Sequence, residues 1–355
     1  MSRRTKFPPD EVEKDIPDVA TAELLLNERD PSFLGYVRQR RGAFERQFGD
    51  GYGTFLDCAE RALKISYARF AIRHGTWGED LHHYHNERHA VEILSDRLDY
   101  LCERAGADAL EATDWVLLTL FGAMHDLRQR ETPDPSQLIG ANERATIEET
   151  QRILETSGFD PKRDEMVFEI MRLMIAGSTF NTQPSKAPQL SPAEAATTAG
   201  ALAPVLATQL KNEQPGWESD AKLSRQIKLM LIASDLDTAN VAEPVIKYAQ
   251  SAVRLCREIE YRCGRDLGTE SALPVFNFLT KGQEAYFFDL HQFDSEIGTQ
   301  VLGAMKERNA GLIRQLTSHV RETFGEAPGD DVTGSEIIDE FMHKASQISG
   351  RAARM

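Results

Sequence analysis

The chain has no pair of cysteines at the spacing of a zinc finger or a CxxC redox motif. Its four cysteines, Cys58, Cys102, Cys256 and Cys263, stand apart and read as reduced thiols of a cytoplasmic protein. No apolar run approaches the roughly 18 residues that a membrane-spanning helix needs, so a membrane is not an expected partner. The basic start Met1-Ser2-Arg3-Arg4-Thr5-Lys6 has no apolar stretch behind it, so it does not read as a secretory signal. Positive charge is in deficit: 41 Lys and Arg face 56 Asp and Glu, a net charge of −15. Phosphate backbones are gripped by clustered cations, so nucleic acid is not an expected partner either. No stretch alternates apolar and polar residues in the manner of a half-buried strand, and no segment repeats. These absences leave an all-α fold as the expected class.

Apolar residues at helical spacing supply the helices. Residues 1–30 read as an arm with one short helix around Ala20–Leu26, packed on its own domain or on a partner chain. From Pro31 to His74 two helices are expected, broken at Gly49, Gly51 and Gly53, with Thr54 as an N-cap. Further helices are expected from His85 to Leu101 and from near Asp108, with Glu111 as its capping partner, to Met124. Others should cover Asn142–Leu154, Asp164–Ile175, Leu223–Ser234, Val245–Cys263, Phe276–Phe293 and Ser295–Thr323. Arg128–Leu138 reads as a loop. The proline-rich stretch 181–220 reads as an insertion or lid with at most one helix, near Leu202–Leu210. The expected organisation is an arm, 1–30, a catalytic domain, 31–325, and a tail, 326–355, with a short helix from Ser335.

Three stretches carry chemistry. His82-His83-Tyr84-His85-Asn86-Glu87-Arg88-His89 holds four of the nine histidines. His85 and His89 are one turn apart if both are helical. His125-Asp126 closes one apolar run and Asp235 closes another. A carboxylate at the end of an apolar helix is expensive to bury unless it is paired or bound to a metal. Two imidazoles and two carboxylates suit a borderline ion such as Zn, Mn or Fe, and a bridging carboxylate would let Mg or Mn sit alongside. Two such ions could activate a water against a phosphate, and a neighbouring His could protonate the leaving oxygen. The His-x-x-x-His spacing does not read as a zinc protease, because Asn86 follows His85 where that chemistry needs Glu. His82 and His83 read as solvated.

The motifs resemble those of the HD-superfamily metal phosphohydrolases, and most of all the catalytic domain of the class I cyclic nucleotide phosphodiesterases. Tyr84-His85-Asn86-Glu87-Arg88-His89-Ala90 resembles the family's Tyr-His-Asn-x-x-His-Ala. The step from His89 to His125, Ala233-Ser234-Asp235-Leu236, and Gln283 to Phe287 follow in the family's order. The resemblance covers roughly residues 50–295 and implies a compact multi-helix fold of that type.

By that resemblance His89, His125, Asp126 and Asp235 would bind the first ion, with Asp126 bridging to a second. His85 would be the general acid and Glu143 would position a water. Tyr84, Thr238, Gln283 and Tyr286 would meet the substrate, Gln283 by hydrogen bonds to a base and Tyr286 by stacking. The implied reaction is hydrolysis of a 3′,5′-cyclic nucleotide, cAMP or cGMP, to its 5′-monophosphate by a metal-bound hydroxide. The alternatives are an HD-type hydrolase of another nucleotide or phosphate ester, or a nucleotide-binding regulator without catalysis. The sequence departs from the family at Gln129, where a His is usual, at Arg144-Ala145-Thr146, and at Thr238. A homo-oligomer is left open.

Overall fold

The computed structural model describes residues 7–106, 109–132, 137–180 and 200–352. The protein is all-α. Among the described residues the only extended pairing is an isolated bridge between Phe180 and Ala201, and no helix is long and apolar enough to cross a membrane. Residues 181–199 of the expected insertion 181–220 lie outside the described residues.

Contacts divide the chain into two units, one of residues 1–179 with 202–237 and the other of residues 180–201 with 238–355. Residues 7–30 fall in the first unit and residues 326–352 in the second.

In the first unit the helices are α1 (Glu11–Asp15), α2 (Val19–Arg29), α3 (Pro31–Phe48), α4 (Gly53–Arg73) and α5 (Glu87–Glu92). A π-helical stretch, Ile93–Leu98, and α6 (Asp99–Ala105) continue α5 without a break. α7 (Ala112–Met124), α8 (Ala141–Thr156), α9 (Glu165–Gly177), α10 (Ala203–Glu213) and α11 (Ala221–Asp237) complete it. α7 is buried along nearly its whole length, as an all-round apolar helix must be. It packs against α4, α5, α9 and α11. Its start differs from expectation. Glu111 is itself the N-cap, with Asp114 as the reciprocal partner. Thr54 likewise is not the cap of α4; Tyr52 precedes the first turn. The arm holds two helices instead of one, α1 and α2.

Buried charge ties α1 to the frame. Glu13 accepts from Arg152 at 2.6 and 2.8 Å and also from Arg69 and Arg128. Glu149, fully buried on α8, accepts from Arg69 and Arg73. Such charges persist in an interior only when paired. Arg73 also donates to the Leu127 carbonyl at 2.8 Å, which fixes the chain just after His125-Asp126.

In the second unit α12 (Val245–Arg262), α13 (Ala272–Asn277), α14 (Glu296–Phe324) and α15 (Gly334–Ala352) surround a core of Tyr248, Phe276, Phe287, Ile313 and Phe341. Burying each such side chain is worth roughly 1.5–3 kcal/mol. The expected helix Phe276–Phe293 is present as an unbroken helical run from Ala272 to Leu290, in which α13 continues into two π-helical stretches, Phe278–Gly282 and Ala285–Leu290.

Candidate metal centre

The His-rich stretch is a loop leading into a helix. α5 begins at Glu87, with Asn86 as its N-cap, so His85 precedes the helix and shares no helical face with His89. Asn86 accepts from the Arg88 amide at 3.0 Å and donates to the His82 carbonyl at 2.6 Å. The motif's Asn is therefore the hinge that turns loop into helix, as the short Asn side chain does well. Glu87 grips the incoming loop, accepting from the Thr76 amide at 3.1 Å and its hydroxyl at 2.7 Å. The Tyr84 ring lies 4.5 Å from that of His89 and 4.9 Å from that of His85.

His125 caps the C-terminal end of α7, and α11 ends in Asp237. These ends converge on His89. His125 Nε2 lies 3.0 Å from Asp126 Oδ2 and 3.3 Å from Asp237 Oδ1. His89 Nε2 lies 3.7 Å from Asp126 Oδ2 and 3.4 Å from Asp237 Oδ1. Ligand atoms of His89, His125 and Asp126 all fall within 4.8 Å of one another.

The carboxylate seen against the imidazoles is that of Asp237. Asp235, the expected second carboxylate, is buried two residues earlier on α11, 1 % exposed. The polar residues of α11 lie in its first half, from Lys222 to Lys228, so no polar stripe marks the faces of its last turns. Arg97 was also missed. It is 1 % exposed and donates to the Leu236 carbonyl at 3.0 Å and to that of Asp237. A cation at a helix C-terminus is favourable, and here it fixes the residue that carries the ligand oxygen. A signal did exist: Arg97 interrupts the apolar stripe Leu94, Leu98, Leu101.

The donor set fits a divalent ion. Ligands about 2.0–2.1 Å from a four-coordinate Zn stand about 3.3 Å from one another, close to the four separations above. His125 Nε2 and Nδ1 and His89 Nδ1 are buried and make no hydrogen bond. Electrostatics point the same way. Burial would lower the pKa of His125, but Asp126 and Asp237 outweigh it and push the imidazole up to about 10. Burial holds His89 below its ordinary value, against the pull of Asp237 and Asp126. Burial would raise Asp237, yet His125 and His89 hold it well below the usual carboxylate range. Two carboxylates against one imidazole thus favour positive charge between them, which the raised pKa of His125 allows as a proton.

The bridging oxygen that a second ion would need is already engaged. Asp126 Oδ1 accepts from Gln129 Nε2 at 2.7 Å, and Gln129 Oε1 accepts from Asn142 at 3.3 Å. Gln129 thus orients Asp126. Among the described residues, one group of three here has its ligand atoms within 4.8 Å of one another.

His85 and Glu143 lie beside this centre. The His85 charge helps hold Asp126 below the carboxylate range. Burial raises Glu143 to about 7, with Asp126 and Asp237 adding to the rise and His85 opposing it. Glu143 folds back on the start of α8, where a Cβ at Gly140 would stand 2.0 Å from its Oε2 and would push the carboxylate aside. His82, expected in solvent, is 1 % exposed.

Three expected substrate contacts belong to the second unit. Gln283 is buried and accepts from the Tyr248 hydroxyl at 2.8 Å. Thr238 Oγ1 lies 3.2 Å from His291 Nε2. The Tyr286 hydroxyl donates to Asn240 at 3.4 Å, and its ring meets that of His291 edge-on at 5.7 Å. No protein-family model matches the chain, and no curated protein matches it.

Proposed function

We propose that this chain is a metal-dependent phosphohydrolase and that its substrate is a cyclic nucleotide phosphodiester. The observation that carries the reading is the convergence of His89, His125, Asp126 and Asp237 on one point, with separations of 3.0–3.7 Å. These four residues would hold one divalent ion. Such an ion lowers the pKa of bound water and neutralises charge on a phosphate.

The chain's own residues divide the remaining work. Gln129 fixes Asp126, and Arg97 fixes the end of α11. His85, half-buried beside Asp126 and Glu143, is the group to give a proton to the leaving oxygen from its imidazole. Glu143, with a carboxyl near neutrality, is the group to take a proton at its Oε atoms and return it. Tyr84 packs on both imidazoles and limits their rotation. The choice of a cyclic nucleotide rests on the order of the sequence motifs.

The test is a panel of cyclic nucleotides, nucleotide monoesters and simple phosphate esters, offered to zinc- or manganese-loaded protein. Wild type should turn over the cyclic substrates. His85→Ala should lose turnover and keep its ion, whereas Asp237→Asn should lose both. Turnover of monoesters alone defeats the cyclic-nucleotide assignment, and no turnover of any phosphate with the ion bound defeats the hydrolase reading.

A further inference from the structure

His74, Asp80 and His82 form a second cluster in the first unit. Ligand atoms of all three lie within 4.8 Å of one another. Asp80 Oδ2 is 3.3 Å from His82 Nε2 and 3.7 Å from His74 Nδ1, again near the spacing of ligands round a tetrahedral ion. The two imidazoles are buried and their rings stand 4.1 Å apart. The loop between them is closed, because the His82 amide donates to the His74 carbonyl at 2.9 Å. Gly78 permits that closure, since a Cβ there would stand 1.8 Å from the Ile72 carbonyl oxygen. The ligands therefore sit at both ends of one fixed loop.

A cation from the protein already stands at this point. The Arg130 Nε–H is shared between Asp80 Oδ2 at 2.9 Å and His82 Nε2 at 3.1 Å. An imidazole nitrogen that accepts from a guanidinium presents its lone pair, the same lone pair that binds a metal. Arg130 is 47 % exposed, and such an exposed ion pair holds its geometry by about 1 kcal/mol or less. A cavity of about 570 Å³, lined by His74, Asp80, Arg128, Gln129 and Arg130 among others, opens onto the cluster and gives an ion a way in.

We infer that His74, Asp80 and His82 form a second divalent-cation site, selective for a borderline ion such as Zn²⁺, with Arg130 as the internal cation that the metal displaces. Three protein ligands leave a fourth position open towards the cavity for water or an anion. The site is separate from the hydrolytic centre and does not depend on it.

The experiment counts zinc per chain by elemental analysis after loading and desalting, and measures affinity by competition with a chromophoric chelator. Wild type should hold two ions. His82→Ala and Asp80→Asn should each hold one; Asp80 is half-exposed, so that variant keeps the fold, checked by circular dichroism. His125→Ala should also hold one, and its remaining ion should vanish when His82→Ala is added. Arg130→Ala should keep two and bind the second about tenfold more tightly, as expected when a competing group is removed. A single wild-type ion that His82→Ala removes and His125→Ala does not would support this site and sink the first. A single ion lost only with His125→Ala, or a count of two unchanged by both His82→Ala and Asp80→Asn, would overturn it.

Discussion

Around His125 two carboxylates, those of Asp126 and Asp237, converge, each about 15 % exposed. Around His82 a single carboxylate, Asp80, is 43 % exposed and shared with Arg130. Both clusters gather imidazole and carboxylate at nearly the same spacing, yet they differ in the positive charge that stands in the ion's place. In the first it is a proton on His125; in the second it is a guanidinium. Buried acids that no side-chain cation reaches must recruit one, whereas an exposed acid finds an arginine. On the proposed reading, the first cluster should therefore be the stronger metal site and the second the more easily exchanged.

The largest break in that comparison should come from Asp237→Asn. Removing one of two buried acids takes away half of the demand for a cation. First-site zinc affinity should fall by at least about 100-fold, the upper end of what is lost when a partner behind a ligand is removed. Elemental analysis and turnover measure it. Asp80→Asn should leave the first ion in place. If Asp237→Asn keeps its ion and Asp235→Asn loses it, the assignment of the ligand is reversed.

pH should separate the clusters next. The folded pKa of His125 is raised from 6.5 to about 10. Its charged form stabilises the ion-free protein fully below about 6.5, and that contribution is lost as pH rises through 10. An ion must displace the same proton, so first-site affinity should climb about tenfold per pH unit from 7 to 9, roughly one pKa unit's worth of free energy each time. The guanidinium at the second cluster gives up no proton in this range, so its affinity should be flatter. Chelator competition at three pH values would show it, and a flat first site would mean that His125 is neutral without the ion.

The two clusters also differ in how far the sequence disclosed them. The helices were legible because apolar residues recur every three or four positions, and His125-Asp126 was legible because polar residues end an apolar run. That Asp237 lies against the imidazoles was not, since the last turns of α11, Leu229 to Ala233, are apolar all round and mark no face. The second cluster was hidden because His82 looked like one more solvated histidine, and its partner Asp80 lies in a loop with no periodicity to read. Its bond to Arg130 spans 50 positions, and nothing local signals such a pairing. The π-helical continuation of α5 was hidden too, because it keeps the apolar stripe while changing its pitch.

Arg97 sharpens the contrast from the side of stability. Its charge is buried and satisfies the last carbonyls of α11, which carry Asp237 into place. Arg97→Met keeps the apolar stem and removes the donors. The variant should lose about 2 kcal/mol in urea unfolding, as for other charged hydrogen bonds to buried carbonyls. The loss should be confined to the first cluster's zinc. Equal weakening of both sites would mean that Arg97 supports the unit as a whole and not the ligand.

The smallest effect is expected at Gln129. Its amide donates to Asp126 Oδ1 at 2.7 Å and is itself held by Asn142, and it also lines the cavity beside Asp80 and Arg130. Gln129→Ala should free Asp126 to rotate and weaken first-site zinc by about tenfold, the low end for a group that orients a ligand. The second site should be unchanged, because Gln129 offers it no ligand atom. Gln129→His restores a nitrogen donor near Asp126 Oδ1, and that oxygen then becomes available to a second ion at the first centre. A third zinc per chain in Gln129→His, absent in Gln129→Ala, would show that this amide is what limits the first centre to one ion. A count unchanged in both variants would place the limit elsewhere in the donor set.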